Sequence, residues 1–118
     1  MNQGGPRKYL EASSRLADRR LYPRFPHVAA VEVVEPISQT RVDGRTTEIS
    51  LGGCYVTTAN PLPPKTIIRI SIHIEGIPFH SWARVVYNHT GVGMGIAFFD
   101  TAPDQRTHLK AFLAKLAT

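Results

Sequence analysis

The chain has 118 residues, 42% of them hydrophobic and 19% charged, which fits one ordinary domain with a modest core. No apolar stretch approaches the roughly 18 residues that a membrane-spanning helix needs, the first residues lack the apolar run of a secretory signal, and a single cysteine, Cys54, excludes an internal disulfide. We therefore expect a soluble protein of the reducing cytoplasm, with no membrane span.

Positive charge is concentrated at the start of the sequence. Residues 1–27 carry +4 of the net charge of +5, with six Lys and Arg against two acidic residues. Residues 1–18 have too few apolar positions to anchor a helix firmly, so we expect a flexible or partly helical basic leader before a domain that spans residues 19–118. Such a leader is typical of a segment that binds an anionic ligand or partner. The alternative is a solvated basic tail.

Short strands with turn signals follow the leader. Pro23 and Pro26 favour a loop from Arg20 to His27, because proline biases the preceding residue toward an extended conformation. Further along, the sequence predicts strands at 28–34, 46–50 and 54–57, with a turn at Asp43-Gly44.

The clearest periodicity is the alternation of isoleucine with polar residues from Ile68 to Ile74, which predicts a half-buried strand. Glu75-Gly76 then predicts a turn into a second long strand, residues 77–88, so that the two strands form a hairpin. We expect the second strand to bury Phe79, Ala83, Val85 and Tyr87.

A glycine-rich strand at 93–99 and an amphipathic helix end the sequence. The helix has Pro103 in its first turn and Asp100 or Thr101 as candidate N-cap. Its apolar residues recur at helical spacing and are Leu109, Phe112, Leu113 and Leu116. About six short antiparallel strands and one helix predict a mainly β fold, a small barrel whose closure removes exposed strand edges. The helix then covers one opening or lies against the wall.

Catalytic and metal-binding motifs are missing from the sequence. There is no Gly-x-Ser-x-Gly, no Gly-x-x-x-x-Gly-Lys and no His-Glu-x-x-His. His73 and His80 can meet across the hairpin, but two histidines without a third ligand do not define a metal site. We predict a binding protein, not an enzyme, with no catalytic residue, no metal and no cofactor.

Three arginines form the first cluster on which a function can be based. Arg19, Arg20 and Arg24 lie around Pro23, which keeps them in a loop that can fold around a ligand. The planar guanidinium group donates paired hydrogen bonds to a phosphate or to guanine, and it stacks on a base. A solvent-exposed loop is the simpler alternative.

The second cluster lies at a strand end. Alternation points Glu48 and Ser50 to the same side, and Gly52 and Gly53 permit a close approach of the backbone. A carboxylate, a hydroxyl and an exposed amide side by side can bind the edge of a guanine. The simpler alternative is a hairpin turn with polar neighbours.

The two clusters, in this order and about 25 residues apart, resemble the PilZ family of bacterial cyclic di-GMP receptors. The family signatures are Arg-x-x-x-Arg before the first strand, matched by Arg20 and Arg24, and Asp/Asn-x-Ser-x-x-Gly at a following turn, matched by Ser50 and Gly53. The segments Ile-Ser-Leu-Gly-Gly-Cys-Tyr-Val, Ala-Arg-Val-Val-Tyr and Gly-Met-Gly-Ile-Ala-Phe extend the resemblance over residues 18–116. It implies a six-stranded antiparallel β-barrel with a C-terminal α-helix.

The resemblance also implies roles for individual residues. Arg20 and Arg24 hold phosphate and guanine, while Ser50, Gly53 and Glu48 read the guanine edge or the ribose. Glu48 stands where the family has Asp or Asn, so its carboxylate is one methylene further out, and a misplaced acceptor would weaken or abolish binding. Arg19 supplies a further guanidinium for a second, stacked ligand molecule, or is a solvent-exposed charge.

The predicted function is a cyclic di-GMP receptor or adaptor. The ligand orders the N-terminal arginine loop onto the barrel and so changes the surface offered to an unidentified protein effector. One alternative is a ligand-independent PilZ-like interaction module in which Glu48 marks a lapsed site. A less favoured alternative is a small nucleic-acid-binding barrel, whose binding would collapse with salt.

Overall fold

Residues 22–118, which the computed structural model describes, form seven strands and one helix. The strands are β1 (Phe25–Pro26), β2 (Ala30–Glu35), β3 (Thr40–Ile49), β4 (Gly53–Thr57), β5 (Ile67–Ile74), β6 (Ile77–His89) and β7 (Gly93–Phe99), and the helix is α1 (Pro103–Leu116). The predicted leader, residues 1–18, lies outside the described residues, and so do Arg19 and Arg20. No helix within residues 22–118 is long and apolar enough to cross a bilayer.

The strands form one antiparallel sheet in the order β1-β3-β2-β5-β6-β7-β4. Because β4 also pairs with β3, strands β2 to β7 close into a six-stranded barrel, and β1 is an extra short strand on the end of β3. The predicted antiparallel barrel with a C-terminal helix is confirmed. Closure pairs the long strands on both sides, which removes the exposed edges that a flat sheet would leave.

Side chains that point into the barrel form its core, and the isoleucine alternation is confirmed. Ile68, Ile70, Ile72 and Ile74 are all buried. Strand β6 buries Phe79, Ala83 and Val85 as predicted, but the prediction for Tyr87 is wrong. A bulge between Val85 and Tyr87 inserts one residue and shifts the alternation, so that Tyr87 lies half-buried on the outer wall.

The two predicted turns had different outcomes. Glu75-Gly76 connects β5 and β6 with φ of 52° and 80°, the positive values that a two-residue hairpin turn requires. Asp43-Gly44 is not a turn, because Gly44 lies inside β3 opposite Val31. A Cβ there would lie 2.5 Å from the Thr57 carbonyl oxygen, so this glycine serves close strand packing.

The turn between β2 and β3 instead comprises residues 36–39 and is organised by the Glu35 carboxylate. The carboxylate accepts hydrogen bonds from the Ile37 and Ser38 amides, both at 2.8 Å, and from the Ser38 hydroxyl. These hydrogen bonds, that of the Ser38 side chain first, lower the pKa of Glu35.

Helix α1 begins at Pro103, with Ala102 as its N-cap, so the predicted caps are wrong. Thr101 donates to or accepts from the Ser81 hydroxyl at 2.7 Å instead of capping the helix. The apolar face is as predicted, with Leu109, Phe112 and Leu113 buried.

The helix lies against the start of β6, where β7 has already ended. The Gln105 carboxamide oxygen accepts from the His80 amide at 2.8 Å, and His108 Nε2 donates to the Ile77 carbonyl at 3.0 Å. Because β7 pairs with β6 only from Trp82 onward, helix side chains satisfy backbone groups that no strand reaches.

Buried Thr46 fixes the segment that joins β1 to β2. Its hydroxyl accepts from the Ala29 amide at 2.9 Å and donates to the His27 carbonyl at 2.8 Å, and its own amide donates to the Ala29 carbonyl at 2.9 Å. This β3 residue therefore holds in place the stretch of chain that follows Arg24.

Replacing Thr46 with valine keeps the shape of the side chain and removes the hydroxyl, leaving the buried Ala29 amide and the partly buried His27 carbonyl without this partner. We expect Thr46→Val to lower the free energy of unfolding by about 2 kcal/mol, measured by urea denaturation. The neighbouring exposed residue supplies the control, because Thr47→Val should stay within about 0.5 kcal/mol of the wild type. Equal stability of the two variants would contradict the role of Thr46.

Candidate functional site

The candidate site lies where β1 joins the end of β3. Phe25 pairs with Ile49 and Pro26 with Glu48, and Phe25 packs against the core. Arg24 immediately precedes this pair of residues. The pairing therefore places Arg24 beside the turn that connects β3 to β4.

Arg24 and Glu48 form an ion pair, with Arg24 Nη1 3.1 Å from Glu48 Oε1. Their side chains are 44% and 39% exposed, respectively. An ion pair this exposed contributes at most about 1 kcal/mol, because solvent screens it. The contact positions both groups without locking them, and an anionic ligand can displace it.

Ser50 organises the β3–β4 turn from a buried position. Its hydroxyl oxygen accepts from the Gly52 and Gly53 amides, both at 3.1 Å, and the hydroxyl donates to the Gly53 carbonyl at 3.2 Å. The Ser50 amide donates to the same carbonyl at 2.8 Å. The polar groups of the turn are thus engaged with one another, which makes the turn a preorganised surface.

The two glycines of the turn are held close to different neighbours. A Cβ on Gly53 would collide with the Ile96 carbonyl oxygen of β7, so backbone packing requires glycine there. A Cβ on Gly52 would lie 2.8 Å from the ring of Tyr22. Tyr22 therefore packs on the turn from the arginine loop, a contact that the sequence prediction missed. An aromatic residue between the two motif arginines was its only signal.

A cavity of about 20 Å³ lies between Arg24, Glu48 and the turn, and Cys54 and Ile96 complete its lining. This volume holds about one water molecule, so a larger ligand lies over the outer surface rather than inside. Burial, and secondarily the Glu48 carboxylate, raises the pKa of the Cys54 thiol. Cys54 is thus a small buried residue, as predicted, and its neutral thiol is a poor nucleophile.

Five of the seven predicted site residues surround this cavity, namely Arg24, Glu48, Ser50, Gly52 and Gly53. Arg19 and Arg20 lie outside the described residues. His73 is opposite Pro78 and His80 is opposite Ser71 in the β5–β6 ladder. Within residues 22–118, no three His, Cys, Asp or Glu side chains are grouped so that they could hold a metal ion.

The contrast between the two glycines can be tested with alanine. Gly53→Ala forces a methyl group against a backbone carbonyl, so we expect it to lower the free energy of unfolding by about 1–3 kcal/mol in urea denaturation. Gly52→Ala meets only the Tyr22 ring, which can move, and should cost clearly less. An equal loss in both variants would argue against the close β4–β7 contact.

A search of curated proteins gave no match. Among solved structures, the PilZ domain of CeSA from a cellulose-synthesizing bacterium matches at 25% identity and a TM-score of 0.65, covering 81% of this chain and 99% of that one. Escherichia coli YcgR in complex with c-di-GMP matches at 19% identity and a TM-score of 0.69, covering 84% and 46%. The Bacillus subtilis inhibitor of motility MotI/DgrA matches at 22% identity and a TM-score of 0.65, covering 84% and 49%.

The chain thus spans the whole CeSA domain but only about half the length of YcgR and MotI/DgrA. Because the sequences of YcgR and MotI/DgrA are less than 25% identical to this one, their structural similarity shows a shared fold alone. The model of the PilZ domain family matches residues 18–115, which include both predicted motifs and the entire barrel. The chain belongs to the PilZ domain family.

Proposed function

We propose that this protein is a cyclic di-GMP receptor or adaptor, acting through binding rather than catalysis and without a cofactor. The observation that carries the proposal is the meeting of Arg24 with Glu48 and the Ser50–Gly53 turn, two motifs that are separate in the sequence. YcgR, which shares the fold, has been solved in complex with c-di-GMP, which supports the choice of ligand.

The energetics favour exchange of the Arg24–Glu48 ion pair for a ligand contact. Opening the exposed pair costs at most about 1 kcal/mol. A charge-assisted hydrogen bond from a guanidinium to a phosphate contributes roughly 1.5–3 kcal/mol. Arg24 therefore gains by turning toward a phosphate of the dinucleotide.

Glu48 has two roles in this proposal. Without ligand, its extra methylene lets the carboxylate reach Arg24 and hold it beside the turn. With ligand, the released carboxylate accepts hydrogen bonds from N1 and N2 of guanine, which are both donors. The longer side chain in place of Asp or Asn is thus compatible with binding.

Arg20 completes the clamp with Arg24, and Arg19 engages a second, stacked ligand molecule. Both belong to the start of the proposed domain, residues 19–118, behind the basic leader of residues 1–18. Ligand orders the arginine loop on the barrel and changes the surface available to a protein effector in the cytoplasm. Two ligands per chain in calorimetry, reduced to one by Arg19→Ala, would support this role of Arg19.

Isothermal titration of the full chain with cyclic di-GMP tests the proposed function. We expect binding by the wild type and a loss of about tenfold or more in Arg24→Ala, since one charge-assisted contact disappears. Without ligand, the same variant should lose less than about 1 kcal/mol of unfolding free energy, because it gives up only a surface ion pair.

Arg41→Ala is the matched control. Arg41 is also an exposed arginine in an ion pair, 2.6 Å from Glu32 Oε2, but it lies at the other end of β3. The Arg41→Ala variant should bind cyclic di-GMP with the affinity of the wild type. If the wild type shows no binding at high micromolar ligand, the proposal fails and a ligand-independent interaction module takes its place.

A further inference from the structure

Arg84 lies on the same outer face as the candidate site. In the β4–β7 ladder, Gly53 pairs with Ala97, and in the β7–β6 ladder Ala97 pairs with Arg84. These three residues therefore form one row across three adjacent strands, starting at the turn of the candidate site. The Arg84 side chain is exposed.

The alternation of the strands fixes the direction in which Arg84 points. Its neighbours Ala83 and Val85 are both buried in the barrel core, and Val85 is opposite buried Ile96. Side chains on a strand alternate between the two faces, so Arg84 projects from the outer wall. The bulge that follows Val85 brings Tyr87 to the same wall.

The stretch of outer wall between Gly53 and Arg84, here named the trough, carries only small side chains. Gly53 has no side chain and is buried against the Ile96 carbonyl, and the neighbouring Ala97 has only a methyl group. Beside it, the rings of Tyr87 and Tyr55 lie over the glycines of β7 and raise the surface. A Cβ on Gly95 would collide with the Tyr87 ring, and a Cβ on Gly93 would lie 2.7 Å from Tyr55. The rings of Tyr55 and Tyr87 thus form one side of the trough, in the same cross-strand row as Glu48, and Arg84 lies at the β6 end.

The charge at the Arg84 end is uncompensated among the residues that the structure describes. Within residues 22–118, no acidic side chain lies within ion-pair distance of Arg84. Arg24 and Arg41, by contrast, each have a carboxylate partner. A cation without a counterion beside a trough of small residues is suited to an anionic ligand.

The distance between the two ends suits a ligand with two anionic groups. Glu48 is on β3 and Arg84 is on β6, with β4 and β7 between them, which is roughly 14 Å along the wall for strands about 4.8 Å apart. The Arg24 guanidinium already lies 3.1 Å from the Glu48 carboxylate, and the long Arg84 side chain can extend inward from the other end. The ligand between them would lie flat on the small residues of the trough.

We propose that Arg84 is a further ligand-binding residue, which donates hydrogen bonds to the phosphate of the cyclic dinucleotide that is remote from Arg24. The inference rests on the proposed function and adds a third strand, β6, to the site. Neither motif of the sequence contains Arg84, so the binding surface extends beyond the motifs.

Titration of the full chain with cyclic di-GMP, using Arg84→Gln and Arg84→Lys, tests this role. Arg84→Gln removes the charge and should weaken binding about tenfold or more. Arg84→Lys keeps the charge and loses the fork, so its affinity should lie between those of wild type and Arg84→Gln. Arg41→Gln removes an equal charge at the far end of β3 and should bind as the wild type does. Thermal melts of each variant without ligand check folding.

The outcomes separate this inference from the proposed function. Wild-type binding that Arg84→Gln leaves unchanged would overturn the role of Arg84 while the receptor function stands. If Arg84→Lys binds as weakly as Arg84→Gln, the proposed phosphate contact is overturned. If Arg41→Gln loses as much affinity as Arg84→Gln, the loss is due to net charge and not to a contact of Arg84. Absence of wild-type binding would remove the receptor function and this inference together.

Discussion

The site depends on the pairing of a two-residue strand, β1, with the end of β3. Phe25 opposite Ile49 places Arg24 beside the β3–β4 turn, and the buried Thr46 hydroxyl holds the chain that follows. The pairing thus fixes where Arg24 lies relative to the turn. A few backbone hydrogen bonds thus convert two distant sequence motifs into one surface.

Rigid and exchangeable parts are separated within that surface. The turn is rigid, because Ser50 satisfies its amides and Gly53 packs against the β7 backbone. The charges are exchangeable, because the Arg24–Glu48 pair is half exposed and Arg84 has no acidic partner within the described part of the chain. A ligand can therefore reorganise side chains at little cost while the backbone that orients them stays fixed.

The sequence predicts the barrel well because burial of one face imposes a strict alternation, which the isoleucines of β5 follow. It fails where backbone irregularity or tertiary packing decides. The bulge in β6 moves Tyr87 outward, and Asp43-Gly44 lies in a strand because Gly44 allows close packing on Thr57. For the site, motif spacing indicates Arg24 and Ser50, but the Tyr22–Gly52 contact depends on tertiary structure. Arg84 is brought to this surface by the register between β6 and β7, which cannot be predicted from a single sequence.

A closed six-stranded barrel of this kind leaves no room inside for a dinucleotide. Its interior is filled by isoleucine, valine and Phe79, and the cavity at the site holds about one water molecule. The proposed recognition of a dinucleotide therefore uses the outer wall, where strand side chains normally project and would keep a flat ligand away from the backbone. Small residues at Gly53 and Ala97 remove that obstacle along one row, which ends in Arg84. Because β7 supplies Ala97 between the other two, the order of the strands around the barrel determines which cations a bound anion can reach.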